Sequence, residues 1–129
     1  MRYLSVYTPD QQPQAGDVPC DEDNVRMGAL IDEMVKAGVM LATDGLLPNS
    51  AADAQMHYHD GKLSVVDGPF AETKELIAGF AIIQVATKDE ALYWNRRFME
   101  LAGPGRCDIR LMYDTSPMEN FAAAAEAHA

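Results

Sequence analysis

The chain has no apolar run near the roughly 20 residues that a membrane-spanning helix needs. Its most apolar stretch, Ile77 to Val85, is less than half that length. Basic residues are scarce: 10 Lys and Arg stand against 20 Asp and Glu, giving a net charge of −10 and a pI near 4.5. Such an excess of carboxylates repels phosphate backbones and anionic lipid, so neither nucleic acid nor a membrane is expected as a partner. Only 2 cysteines occur, Cys20 and Cys107, and they have neither CxxC nor metal-type spacing. Free thiols in a reducing compartment are the plain expectation. The opening Met1-Arg2-Tyr3-Leu4-Ser5-Val6-Tyr7 is too short and strand-like for a signal peptide, so a cytoplasmic location is expected. Phosphate-binding loops and dinucleotide fingerprints are missing. Ser5, Ser64 and Ser116 lack the glycine-flanked elbow of a hydrolase nucleophile.

What is present fits one globular domain: 129 residues, 48% hydrophobic and 23% charged. Arg2 to Tyr7 predicts a first strand, rich in aromatic and β-branched residues. Met27, Leu30, Ile31, Met34 and Val35 share one face of a helix that Gly38 ends. Val39 to Thr43 predicts a second strand, followed by a loop at Asp44-Gly45-Leu46-Leu47-Pro48-Asn49. Ile77 to Val85 predicts a buried central strand. Thr87 and Glu90 form a capping box ahead of the stripe Ala91, Trp94, Phe98 and Leu101, which Gly103-Pro104 terminates. Arg106 to Tyr113 alternates as a last strand, and Ser116-Pro117-Met118-Glu119 starts a short alanine-rich helix.

Between these elements, Met56 to Val66 predicts a hairpin about Asp60-Gly61. A two-residue turn sets His59 opposite Lys62, Tyr58 opposite Leu63, His57 opposite Ser64 and Met56 opposite Val65. One face is then polar and the other apolar. The whole order is strand, helix, strand, hairpin, strand, helix, strand, helix. It predicts an α+β sandwich with both main helices on one face of an antiparallel sheet. The other sheet face needs a cover, and a second copy in a two-fold homodimer is the simplest one.

At Asp67-Gly68-Pro69-Phe70-Ala71-Glu72-Thr73-Lys74-Glu75 the sequence resembles the DGPF-domain proteins of the YCII-related family. Gly79-Phe80, the Asp44-Gly45-Leu46-Leu47-Pro48 segment, the first strand and Asp108-Ile109-Arg110 extend the likeness over residues 1–113. Residues 114–129 look like a C-terminal helical extension. The resemblance implies a ferredoxin-like fold that pairs through its sheets as a dimeric α/β barrel. Many members have no established activity; some relatives in the wider group are lyase- or isomerase-type enzymes on small organic molecules, and some DGPF-type domains are associated with sigma factors. YCII-type relatives carry a first-helix histidine, thought to pair with an aspartate. The matching position here falls near Met27, and this helix has no histidine.

Candidate chemistry centres on the hallmark loop. Asp67 is a candidate general base, with a turn aspartate as the plain alternative. Glu72 is a second acid/base candidate and Lys74 an anion anchor, against a solvated charged turn. Phe70 is a candidate wall of the binding site, or simply a core anchor. Arg110, facing opposite to Ile109, is a candidate carboxylate clamp or a dimer salt-bridge partner. His57 and His59 share a strand face that reads as outward. With Asp60 or Asp67 they could imitate a two-histidine, one-carboxylate metal site, but no clean third ligand has fixed spacing.

The leading expectation is a homodimer holding a small polar or aromatic molecule between sheet and partner, without metal or cofactor. Any turnover would be proton-transfer chemistry of lyase or isomerase type. A non-catalytic sensor or partner-binding module tied to transcription regulation is the second reading. A metal-dependent enzyme using His57 and His59 is the third.

Overall fold

A computed structural model describes residues 1–11, 21–70, 76–114 and 117–127. The elements run β1 (Arg2–Pro9), α1 (Asp21–Lys36), β2 (Met40–Gly45), β3 (Ala54–His59), β4 (Lys62–Asp67), β5 (Gly79–Gln84), α2 (Lys88–Ala102), β6 (Gly105–Leu111) and α3 (Pro117–Ala127). Four strands form one antiparallel sheet in the order β2-β5-β1-β6, and β3-β4 form a separate hairpin. Leaving the hairpin and α3 aside, this is the βαββαβ arrangement of a ferredoxin-like α+β fold, and no barrel closes among the described residues.

The register explains which residues are inside. Tyr3 opposes Ile83 and Leu111, Ser5 opposes Ala81 and Ile109, and Tyr7 opposes Gly79 and Cys107. Tyr3, Ser5, Tyr7 and Ile83 are all buried on the face that α1 and α2 cover. From α1 come Leu30 and Met34, one helical turn apart and both buried; from α2 come Ala91 and Trp94. Val35, expected on the inner stripe, is 55% exposed because its position lies beside that stripe rather than on it. The opposite sheet face carries Leu4, Val6, Phe80 and Ile82, with Asp108 and Arg110 beside them in register. Those four apolar residues are only half-buried.

Helix ends are specified locally. Gly38 has φ +74°; its N–H bonds Val35 O at 3.1 Å while Val39 N–H reaches Met34 O at 2.9 Å. This glycine-closed motif stops α1 and turns Val39 into the core. Thr87 Oγ1 accepts from Glu90 N–H at 3.1 Å. The Glu90 carboxylate reaches back to Ala86 N–H at 3.0 Å, one residue earlier than a strict capping box.

Strand limits differ from the sequence reading in several places: β5 is shorter than Ile77 to Val85, and the hairpin strands reach Ala54 and Asp67 rather than Met56 and Val66. Asp44 and Gly45, read as loop, pair with Phe80 and Gly79 as the end of β2. Thr8 and Pro9 extend β1 because Arg106 and Gly105 pair with them. The last strand stops at Leu111 rather than Tyr113. Where β1 and β2 lengthen, ladder pairing outweighs local propensity. The hairpin matches its expected register throughout, with Asp60 and Gly61 at φ +54° and +75°. Every residue of β3 and β4 is exposed, so the apolar face of Met56, Tyr58, Leu63 and Val65 is as open as the polar one. The helical turn expected at Ala71 to Glu75 and the capping Ser116 lie outside the described residues.

Candidate functional site

Between the sheet and the two main helices lies a cavity of 330 Å³. Ser5 and Tyr7 of β1 and Cys107 of β6 form part of its floor. Trp94 and Phe98 of α2 and Met34 of α1 contribute to its other wall. Tyr7 and Phe98 meet edge to face, with ring centroids 5.4 Å apart.

The polar groups at this cavity divide into satisfied and unsatisfied ones. Tyr7 Oη donates toward the end of α2, lying 3.0 Å from Gly103 O. Asn95 Nδ2 donates to Ala91 O at 2.8 Å, and the Cys107 thiol donates to Asn95 Oδ1 at 3.3 Å. Ser5 Oγ and Trp94 Nε1 are shielded from solvent and have no hydrogen-bond partner among the described residues. Burial pushes the Cys107 thiol above its ordinary value, the charge of Asp108 adds to this, and a backbone hydrogen bond at Val6 opposes it. Burial also raises Tyr7, with Asp10 and then Cys107 contributing. Both shifts favour the neutral form.

The residues singled out from sequence lie elsewhere. Asp67 closes β4, opposite Ala54, and is exposed. Phe70 is half-buried, and its backbone is held by the Asn49 side chain. Arg110 sits opposite Leu4 on the outer face of the sheet and is exposed. Glu72 and Lys74 lie outside the described residues. Asp67, Phe70 and Arg110 do not line the cavity, which opens on the helix-covered face rather than the outer face. His57 and His59 stack on the open hairpin with centroids 6.3 Å apart. Among the described residues no three His, Cys, Asp or Glu side chains cluster as metal ligands would. No described helix is long and apolar enough to cross a membrane.

Ser5, Asn95 and Cys107 carry a faint sequence signal as cavity residues. Ser5 is a hydroxyl between Tyr3 and Tyr7 on the inward alternation of β1, and Asn95 is an amide beside the apolar stripe of α2. A polar residue on an otherwise buried face needs a partner, and here the partner of Ser5 is missing.

A ferredoxin-like sheet backed by two helices, with a pocket between the layers, defines the class of protein. A model of the YCII-related domain matches residues 1–101, and the chain belongs to that family. It is also similar to an uncharacterised protein of Rhizobium meliloti (strain 1021), 41% identical over 70 residues. That match covers 54% of this chain and spans 56% of the relative's length.

Proposed function

We propose that this chain binds a small, largely apolar organic molecule between its sheet and its helices. The observation that carries the reading is the 330 Å³ cavity itself, lined mostly by apolar side chains of both layers such as Met34, Ile83 and Phe98. Protein interiors are normally close-packed, so a space of that size between two layers is unusual. An apolar pocket of a few hundred Å³ with a few convergent polar groups is the usual form of a small-molecule site. Ala81, which lines the cavity, offers a test: Ala81→Met fills the space from the sheet side. A fragment screen should give hits on the natural chain that this variant loses while its melting midpoint stays high. Hits that survive the filling, or none at millimolar concentration, would end the proposal.

The proposal includes a second copy over the outer sheet face. Leu4, Val6, Phe80 and Ile82 lie there half-buried, beside side chains of both signs, Asp108 and Arg110, that can meet across a two-fold axis. Light scattering at micromolar concentration should give about twice 14.1 kDa; a monomer would remove this part.

A non-catalytic sensor or partner-regulated module is the second reading, since the cavity lining is mostly apolar. Asp67 remains the candidate base for the enzymatic reading.

A further inference from the structure

The cavity has small residues below it and soft ones above. On the helix-covered face of the sheet, Gly45 pairs with Gly79 and Thr43 with Ala81. Two adjacent rows of the floor thus carry little side-chain bulk, and backbone forms much of the surface. Gly79 has to be small, since a Cβ there would come 2.9 Å from Asp44 O. The helices contribute Met27, Met34 and Phe98 to the lining. Thioether and aromatic side chains both make favourable contacts with aromatic rings. Thr43 and Gly45 are exposed, which puts the mouth at the β2 edge.

Polar groups at this cavity are engaged or out of reach. Asn95 donates to Ala91 O and accepts from Cys107, Tyr7 donates to the carbonyls that end α2, and Thr43 Oγ1 donates to Phe80 O at 2.9 Å. Ser5 Oγ and Trp94 Nε1 are closed off from solvent, and so from any atom of a ligand. No described lining residue is Lys, Arg or His. The one acid among them, Asp44, opposes Phe80, and the register turns both side chains to the outer face. An anion or a strong acceptor entering this space gives up water and gains neither cation nor donor in return. Resting on the binding proposal above, we infer that the cavity takes an uncharged, planar aromatic hydrocarbon of two fused rings, lying on the floor of Gly45, Gly79 and Ala81 against Met34 and Phe98. Size sets the ring count: a dry apolar cavity of about 150 Å³ holds benzene, and this one has 330 Å³.

Three of the 8 methionines, Met27, Met34 and Met40, line the cavity. With carbon-labelled methyl groups in the full chain they report occupancy, because a bound aromatic ring shifts the resonances of methyls near its face. The probes are naphthalene, benzene and 2-naphthoate. Naphthalene should move the three cavity methyls. It should bind about tenfold more tightly than benzene, the effect of burying roughly 50 Å² more hydrocarbon. 2-Naphthoate should bind about tenfold more weakly than naphthalene, or worse. Gly45→Leu sets a side chain over the floor at a place with room for it, the nearest atom to a Cβ being Ala78 O at 3.9 Å. It should weaken naphthalene more than benzene. 2-Naphthoate binding as tightly as naphthalene overturns the uncharged hydrocarbon and leaves the binding proposal standing. Benzene binding as tightly as naphthalene overturns the two-ring size. Unchanged naphthalene affinity in Gly45→Leu overturns the seat on the glycine floor. Cavity methyls that stay still with all three probes overturn both readings. Should Gly45→Leu not fold, the order of the probes on the natural chain decides alone.

Discussion

The side chain of Asn49 pairs with the backbone of Phe70 in both directions: Phe70 N–H donates to Asn49 Oδ1 at 2.8 Å, and Asn49 Nδ2 donates to Phe70 O at 2.6 Å. An amide side chain thus does for Phe70 what a neighbouring strand does for a ladder residue. The Asp67-Gly68-Pro69-Phe70 stretch is tied to the loop that precedes the hairpin, and part of the hallmark motif is there for architecture.

Removing that tie should be costly. Asn49→Ala leaves both backbone groups of Phe70 without their partner in a half-buried place. A loss of about 1–3 kcal/mol is expected, read as a lower denaturant midpoint with unchanged slope. Asn49→Asp keeps the acceptor and loses the donor, and it sets a carboxylate against Phe70 O, so it should not restore stability. A midpoint within error of the natural chain for both variants would show that the pairing contributes nothing.

Two glycines should respond to a side chain for different reasons. At Gly68 a Cβ would fall closer to Ser50 O than real Cβ atoms come, and 3.0 Å from Asp53 O. Gly68→Ala should therefore force the loop apart and cost about 1–3 kcal/mol. Gly61 has open space around it but φ +75°, as a type I′ hairpin turn requires. Gly61→Ala should cost about 1 kcal/mol through backbone strain alone. The two effects separate with Asn, which tolerates the left-handed region: Gly61→Asn should recover most of the loss, and Gly68→Asn none. Equal recovery at both positions would contradict the close approach at Gly68.

The fold was legible wherever one residue decides a local conformation. Gly38, Thr87, Gly103 and Asp60-Gly61 each act within a few residues of themselves, and the elements they bound follow from the text of the chain. Asp44 and Gly45 were not legible as strand, because what holds them is Phe80 and Gly79, more than 30 residues away. The cavity was less legible still. Trp94 and Phe98 look like core residues in any helix stripe, and only the packing of the layers reveals that space remains between them. The charges of the hallmark loop stand out in the sequence, whereas the cavity residues Ser5 and Trp94 have ordinary sequence neighbourhoods.

The Cys107 thiol should be slow to react and should carry a pH signature. Its folded value lies above the ordinary 9.0, chiefly through burial. The neutral thiol is favoured in the fold, so its stabilising contribution is complete below pH 9.0 and is lost as pH rises through the folded value. In a Cys20→Ser background, reaction with an aromatic disulfide reagent at pH 8 should be markedly slower than for a small free thiol. Denaturant should remove the difference. Thermal stability should decline above pH 9.0 more in this protein than in its Cys107→Ala form. A thiol that reacts at the free rate in the folded chain would show that its place between the sheet and Asn95 does not shield it.

The last expectation separates architecture from chemistry in the hallmark loop. Capping in this region belongs to Asp53, whose Oδ2 accepts from Ser50 N–H at 3.0 Å and whose carbonyl accepts from Gly68 N–H at 2.6 Å. Asp67 is exposed at the end of β4, and its carboxylate makes no hydrogen bond or ion pair to a described residue. The turn-aspartate role has therefore fallen to its neighbour. Asp53→Asn should weaken a charge-assisted bond to a backbone N–H and cost on the order of 1 kcal/mol. Asp67→Asn should leave stability within about 0.5 kcal/mol, as surface substitutions usually do. With the fold intact, Asp67→Asn becomes a clean probe of function. If Asp67 is the base of a proton transfer, turnover falls by orders of magnitude while ligand binding persists. If the protein only binds, neither quantity moves. A large stability loss in Asp67→Asn, with Asp53→Asn silent, would reverse the two roles and return Asp67 to the turn.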